Sequence, residues 1–328
     1  MTQIIRYRTK IGIKWAIAFS LMLIDFGGCK APDRIFTIGI VAEAPIDVPL
    51  LQGFKQGMAE FGYIEDENIK YIYKNVLEHD EYNIDAGIKE LLAQDIDILL
   101  TIESKVSLRA KELVKSTDKP LLFSANPFPV ESGLVESMSH PGGNITGVMI
   151  VDTASKTLET LTMIIPSVKK VYLPYNPNDR VSISILSKLG NTASQLGIEI
   201  DFHKIHSVEE TVASIEGLPE DVGAIFMIPS PTLNPRSSEL IQAGIKRGIP
   251  MGASLLLDEA VLVSLTNDFL DTGKKTARLA HQINQGVKPA DLPIETADVY
   301  LIINLITAEK LGINIPDAVL AQAKTIIR

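Results

Sequence analysis

The sequence has almost no cysteine and no excess of positive charge. Cys29 is the only cysteine among 328 residues, so no disulfide can form within the chain and packing must stabilise the fold. The formal net charge is −9, from 31 basic and 40 acidic residues. Surfaces that bind nucleic acid are usually basic, so this balance argues against a nucleic-acid partner.

Catalytic motifs are also missing. The chain has no G-x-x-x-x-G-K-[ST] phosphate loop, no G-x-S-x-G, no H-E-x-x-H, and no G-x-G-x-x-G after the first predicted strand. Ser167 and Lys170 match S-x-x-K, but they follow a proline at a predicted helix end and lack a partner motif. His203 and His206 could chelate a metal, but no carboxylate or cysteine cluster lies nearby, which favours a surface pair. The sequence therefore predicts binding without turnover, with no cofactor and no metal.

The single cysteine ends a segment that has the parts of a secretory signal. A basic leader precedes an apolar run, Trp15–Ile24, and Gly27 and Gly28 come directly before Cys29. A bilayer span needs roughly 20 apolar residues, so this run is too short for a transmembrane anchor. A buried free cysteine is the other interpretation, and the flanking glycines argue against it. We expect residues 1–28 to be a lipoprotein signal peptide, Cys29 to carry the lipid, and residues 29–34 to form a tether.

Cleavage before Cys29 would leave a more acidic chain. It would remove four of the 31 basic and one of the 40 acidic residues, leaving 27 and 39 and a net charge of about −12. Such a chain has no polybasic surface for lipid headgroups, so anchoring would depend on the acyl chains. The predicted location is extracytoplasmic, in the periplasm or at the cell surface, with the protein anchored to a membrane.

Strand-like and helix-like segments alternate along the rest of the chain. Ile96–Ile102 is a nearly unbroken apolar run, which is typical of a parallel strand buried on both faces. Pro49–Gly62 places its apolar residues on one helical face. The pattern breaks near residue 148 and then restarts. About 300 residues exceed one typical core, so we predict an α/β fold of two doubly wound parallel-sheet lobes with a cleft between them.

In open α/β sheets, ligands lie beyond the carboxyl ends of the strands. The polar and small residues that follow the predicted strands are therefore the candidate ligand contacts. They are Glu43 and Ala44, Glu103 and Ser104, and Ala125 and Asn126 in the first lobe, and Tyr175, Asn176, Ser230, Ser254, Asn267 and Asp268 further along the chain.

Each kind of candidate also has a purely structural interpretation. Ser104 and Asp268 could cap helices, and the asparagines that precede prolines could shape turns. Tyr175 could pack in the core of its lobe or offer an aromatic surface to a ligand. Glu43 and Glu103 could be ordinary surface acids, or they could attract a cationic group if both faced the cleft.

Several motifs together resemble a known family. They are Ile38–Val41, Gly53–Gly57, Pro141–Gly147, Tyr175–Pro177, Ile303–Ala308 and Leu311–Pro316. In this combination the chain resembles the substrate-binding lipoproteins of ABC transporters, of the type that includes tryptophan- and tyrosine-binding members. The resemblance covers nearly all of the chain after the predicted signal.

The resemblance implies a type I periplasmic-binding-protein fold, in which segments cross between two lobes and the chain end returns to the second lobe. The expected bounds are 35–148 plus 266–292 for the first lobe and 149–265 plus 293–328 for the second. It also implies that Ser104 holds a ligand carboxylate and that the ligand passes to a membrane permease.

The sequence therefore favours a lipid-anchored, monomeric solute-binding protein of an ABC-type uptake system, which closes its lobes on a small organic ligand. An amino acid or a related amine is the favoured ligand. A sensor that presents its closed form to a signalling receptor would have the same fold, and it is the alternative.

Overall fold

The computed structural model describes residues 34–42, 48–76, 81–178, 180–230, 232–255 and 260–328. The predicted signal peptide, Cys29, Glu43 and Ala44 lie outside the described residues, as does the tether apart from Arg34. The described chain folds as two α/β lobes, each built around one sheet, which confirms the predicted fold class.

The strands are β1 (Phe36–Ala42), β2 (Ile69–Asn75), β3 (Ile98–Ile102), β4 (Leu121–Asn126), β5 (Ile145–Met149), β6 (Lys170–Tyr175), β7 (Glu199–Lys204), β8 (Ala224–Met227), β9 (Met251–Ala253), β10 (Val263–Asn267), β11 (Glu295–Thr296), β12 (Val299–Asn304) and β13 (Ala323–Ile327). The helices are α1 (Pro49–Glu60), α2 (Glu81–Leu92), α3 (Ser104–Val114), α4 (Ala154–Ile164), α5 (Arg180–Leu196), α6 (Val208–Glu216), α7 (Ser237–Lys246), α8 (Phe269–Asn284), α9 (Leu305–Lys310) and α10 (Asp317–Leu320).

The first lobe is a six-stranded parallel sheet in the order β2-β1-β3-β4-β5-β11. Helices α1 and α8 cover one face, and α2 and α3 cover the other. All five residues of β3 are buried, because helices cover its two faces. This explains why its sequence is apolar throughout rather than alternating.

The second lobe is a seven-stranded sheet in the order β7-β6-β8-β9-β10-β12-β13. All neighbouring strands in this sheet are parallel to each other, except that β10 and β12 are antiparallel. Strands β12 and β13 therefore run opposite to the other five. Helices α4 and α5 pack on one face, and α6 and α7 pack on the other. The chain end, from β12 to β13, belongs to this sheet, as the resemblance implied.

The chain changes sheets later than the expected lobe bounds. β10 stays in the second sheet as far as Asn267, rather than ending at residue 265. β11 still belongs to the first sheet, because Glu295 pairs with Val148 and Thr296 with Met149. The second and third crossings therefore follow Asn267 and Thr296, and the bounds 265/266 and 292/293 were each placed too early.

Helix α6 was absent from the sequence interpretation. Ser207 is the N-cap of α6, where its hydroxyl accepts a hydrogen bond from the Glu210 backbone N–H at 3.1 Å. The Glu210 carboxylate in turn accepts from the His206 backbone N–H at 2.7 Å. The S-x-x-E spacing of Ser207 and Glu210 is a helix-start signal, and it was overlooked. None of the helices in the described ranges is both long and apolar enough to cross a membrane.

Helices α1 and α8 approach so closely that only glycine fits at the contact. A Cβ added to Gly53 would lie 2.0 Å from the Leu270 carbonyl oxygen, and one added to Gly273 would lie 2.0 Å from the Leu50 carbonyl oxygen. Both obstacles are backbone atoms, so relief would require moving a helix. This contact fixes α8 on the first lobe immediately after the chain leaves β10.

The Gly53→Ala variant should therefore be strongly destabilised. Overpacking a tight contact costs about 1–3 kcal/mol, and we expect the upper end or beyond because backbone is the obstacle. The matched control is Gly190→Ala in α5, where the nearest atoms are 3.9 Å away and the loss of a helical glycine should add about 0.5–1 kcal/mol. Urea unfolding of both variants measures the difference, and equal stabilities would contradict the close approach.

Candidate ligand-binding site at the lobe crossings

Three chain segments cross between the lobes, and they are hydrogen-bonded to one another. The Ala297 backbone N–H of the third crossing donates at 2.8 Å to the carbonyl of Met149, the last residue of β5, which leads into the first crossing. The Asp268 N–H of the second crossing donates to the Asp298 carbonyl of the third, also at 2.8 Å. The crossings therefore form one bonded unit rather than three independent linkers.

Asn267 joins the second crossing to the first. Its Oδ1 accepts from the Val151 N–H at 2.8 Å, and its Nδ2 donates to the Val151 carbonyl at 3.0 Å. The carboxamide of Asn267 is buried, and its oxygen and its nitrogen both form hydrogen bonds with the backbone of Val151. Asn267 was predicted as a ligand contact, and the structure gives this side chain a role in the crossings.

Asp268 caps α8, which is the structural interpretation left open for it. Its Oδ1 accepts from the Asp271 N–H at 3.0 Å, and the Lys324 ammonium lies 3.0 Å from its Oδ2. Burial acts to raise the pKa of this carboxyl, but the hydrogen bond from Asp271 and the charge of Lys324 outweigh burial and lower it. The side chain ties the start of a first-lobe helix to the last strand of the second lobe.

Three predicted contacts in the second lobe also serve its own structure. Asn176 accepts from the Asn178 N–H and donates to the Thr232 hydroxyl, both at 2.9 Å. The buried Ser230 hydroxyl accepts from the Leu233 N–H at 3.3 Å. Tyr175 is 7% exposed and packs in the lobe core, which favours the core interpretation over an aromatic surface for a ligand.

The strand ends of the first lobe carry backbone strain. Glu103 after β3 has φ +77°, and Ala125 in β4 has φ +59°. Of the non-glycine residues in the described ranges, these two and Asp66 have positive φ. Such conformations cost about 1–3 kcal/mol and often mark functional sites. Two of the three, Glu103 and Ala125, lie at the ends of neighbouring strands and were predicted from the sequence as ligand contacts.

Helix α3 begins at this strained edge with no side-chain cap. Glu103 occupies the N-cap position, and its side chain makes no capping hydrogen bond. Ser104 is the first helical residue and is half-buried. Uncapped N–H groups and the helix dipole together favour an anionic group at such an end.

Of the three buried side-chain polar atoms in the described ranges without a hydrogen-bond partner, two lie at strand ends of different lobes. Asn126 is fully buried; its Oδ1 accepts from the Phe128 N–H at 2.9 Å, but its Nδ2 has no hydrogen-bond partner. Ser254, which follows β9 in the second lobe, is 7% exposed, and its Oγ is also unpaired. A buried unpaired donor costs about 1–3 kcal/mol, so each such atom needs an explanation.

These two residues flank the same crossing. The Ile150 N–H donates to the Asn126 carbonyl at 3.2 Å, and the Thr153 hydroxyl donates to the Ser254 carbonyl at 2.9 Å. The unpaired atoms therefore belong to residues bonded to the two ends of the short segment Ile150–Thr153. Asn126 and Ser254 were both predicted from the sequence as ligand contacts, but Thr153, which directly precedes helix α4, was missed.

With this geometry in place, comparison with known proteins identifies the family. The family model described as ABC transporter substrate binding protein matches residues 38–327. The chain belongs to this family. Its members are substrate-binding proteins and not enzymes, which confirms the prediction of binding without turnover.

Several relatives and solved structures are similar to the chain. The Tyrosine-binding protein of Clostridioides difficile strain R20291 is 26% identical over 264 residues, which is 79% of this chain and 75% of that protein. A crystal structure of an ABC domain from Streptococcus pneumoniae in complex with L-Trp is 25% identical with a TM-score of 0.75, covering 90% of this chain and all of that one. A conserved domain protein from Vibrio cholerae has the same identity and TM-score over 89% of this chain. The fold is that of the type I periplasmic binding proteins, as the resemblance implied.

The Asn267→Ala variant should lose stability because the N–H and carbonyl of Val151 both lose their partner. We expect a cost of about 2 kcal/mol or more. The matched control is Asn191→Ala on the exposed side of α5, which should stay within about 0.5 kcal/mol of wild type. Denaturant titration of both variants tests this, and a neutral Asn267→Ala would show that the crossings do not depend on that amide.

Proposed function

We propose that this substrate-binding protein is an extracytoplasmic, lipid-anchored component of an ABC-type uptake system, and that it captures an amino acid or a related amine. The lobes close around the ligand, so that the bound form is the closed one. The ligand then passes to a membrane permease.

The main support is the pair of unpaired buried atoms, Asn126 Nδ2 and Ser254 Oγ. One belongs to each lobe, and both residues bond to the first crossing. A ligand seated there would accept from the amide and bond to the hydroxyl, which removes the cost of leaving them buried and unpaired. Because the two atoms come from different lobes, a ligand that contacts both favours closure.

The uncapped start of α3 supports a carboxylate on the ligand. The N-cap residue Glu103 makes no side-chain capping bond, and Ser104 is the first residue of the helix. A carboxylate there would accept charge-assisted hydrogen bonds, which are stronger than neutral ones. The names of two relatives, a Tyrosine-binding protein and a domain solved with L-Trp, make an aromatic amino acid the first ligand to test.

The anchor and the location rest on the sequence and on the family. A basic leader, a short apolar run and Gly27-Gly28-Cys29 are the features of a lipoprotein signal. A binding protein that supplies an uptake permease works on the side from which the solute arrives, and a lipid on Cys29 would hold it there.

Calorimetric titration with L-tyrosine, L-tryptophan and the matching decarboxylated amines, tyramine and tryptamine, tests the proposal. We expect at least one amino acid to bind, and to bind more tightly than its amine. Ser104→Ala should weaken the amino acid by roughly ten-fold or more and leave the amine nearly unchanged, because a bond to a charged group is worth about 1.5–3 kcal/mol.

The matched control is Ser116→Ala, an exposed serine beyond the other end of α3. It should bind like wild type. Failure of both amino acids and both amines to bind would contradict the ligand class. Equal losses for amino acid and amine in Ser104→Ala would contradict the carboxylate position.

A further inference from the structure

A lysine of the second lobe lies directly over an aromatic ring of the first. Lys188 Nζ, on α5, is 3.6 Å from the centroid of the Phe128 ring, in the loop after β4. A cation above a ring face at this distance is attracted by the ring quadrupole. This side-chain contact between the lobes is additional to the hydrogen bonds between the crossings.

Both partners are held firmly on their own lobe. The Thr192 hydroxyl donates to the Ser155 hydroxyl at 2.9 Å, which ties α5 to α4. In the first lobe, the Phe128 carbonyl accepts from the Ser132 N–H at 3.0 Å, and the same loop leads into the buried Leu134. Because α5 and the Phe128 loop are each tied to their own lobe, opening the lobes would draw the Lys188 backbone away from the ring.

Asp152, in the first crossing, also contacts the lysine. Its Oδ2 is 3.9 Å from Lys188 Nζ, and its Oδ1 accepts from the Ala154 N–H at 3.1 Å. The lysine side chain is 51% exposed, so this ion pair is well solvated. Asp152 can therefore keep the lysine directed towards Phe128 without replacing the ring as its partner.

The phenylalanine is also connected to the candidate site. The Phe128 N–H donates to Asn126 Oδ1, and the other end of the same amide is the unpaired Nδ2. A ligand acceptor bound at Nδ2 would fix the amide and, through it, the start of the Phe128 loop.

We propose that Lys188 and Phe128 form a closure latch, a contact between lobes that favours the closed form and that ligand binding at Asn126 reinforces. The second half of this inference rests on the proposed function, whereas the first does not require a ligand. Breaking a solvated cation–π contact should raise the ratio of open to closed molecules about two- to five-fold.

Spin labels on exposed helix positions of the two lobes measure this ratio. Gln56→Cys in α1 and Ser238→Cys in α7 provide the pair, in a chain with Cys29→Ser so that no other thiol reacts. Without ligand, Lys188→Met and Phe128→Leu should each shift the distance distribution towards open, and Lys188→Arg should restore it. The double variant should open no further than either single one.

The control is Lys156→Met on α4, whose ion pair with Glu159 lies within the second lobe. It should leave the distribution unchanged. If the distance distribution of Lys188→Met matches that of wild type, the latch is overturned. If Lys188→Met shifts the distribution but Phe128→Leu does not, the ion pair of Lys188 with Asp152 accounts for the shift and the cation–π latch is overturned. Adding L-tyrosine then separates the latch itself from its reinforcement by ligand. A latch that is seen without ligand stands even if tyrosine leaves the distribution unchanged, but the proposed coupling to the ligand then fails.

Discussion

The carboxamide of Asn267 is the interaction on which the arrangement of the lobes depends most. It binds the N–H and the carbonyl of Val151, so a residue at the end of β10 fixes the backbone that leaves β5. Two further backbone bonds, from Ala297 to Met149 and from Asp268 to Asp298, complete the unit. Any relative motion of the lobes must bend these joined segments together, which restricts it to a hinge rather than independent movement of three linkers.

Polar residues at the strand ends divide into two groups. Asn176, Ser230, Asn267 and Asp268 use hydrogen bonds of their side chains for turns, caps and crossings. Asn126 and Ser254 each retain an unpaired buried atom, and Glu103 and Ala125 hold strained backbone beside them. Unsatisfied donors and positive φ both cost stability. The second group differs from the first because both features occur in it, at the first crossing and the adjoining strand ends.

Local patterns were sufficient for most of the fold. The apolar run Ile96–Ile102 predicted β3, and the apolar helical face of Pro49–Gly62 predicted α1. The third crossing could not be located from local patterns. It follows β11, which has only two residues and is recognised by its pairing with β5 rather than by its sequence. The role of Asn267 was equally hidden, since Val151 is 116 residues away in sequence. Chain position alone does not distinguish a side chain that faces a ligand from one that bonds a distant backbone.

Hydrogen–deuterium exchange of the crossing amides tests the joined hinge most directly, and it needs no ligand. The N–H groups of Val151, Asp268 and Ala297 each donate to a neighbouring crossing, so all three should exchange slowly, at rates close to those of the strands beside them. Exchange of any of the three at the rate of an exposed loop would show that its crossing is free, and it would contradict the account of a single bonded hinge.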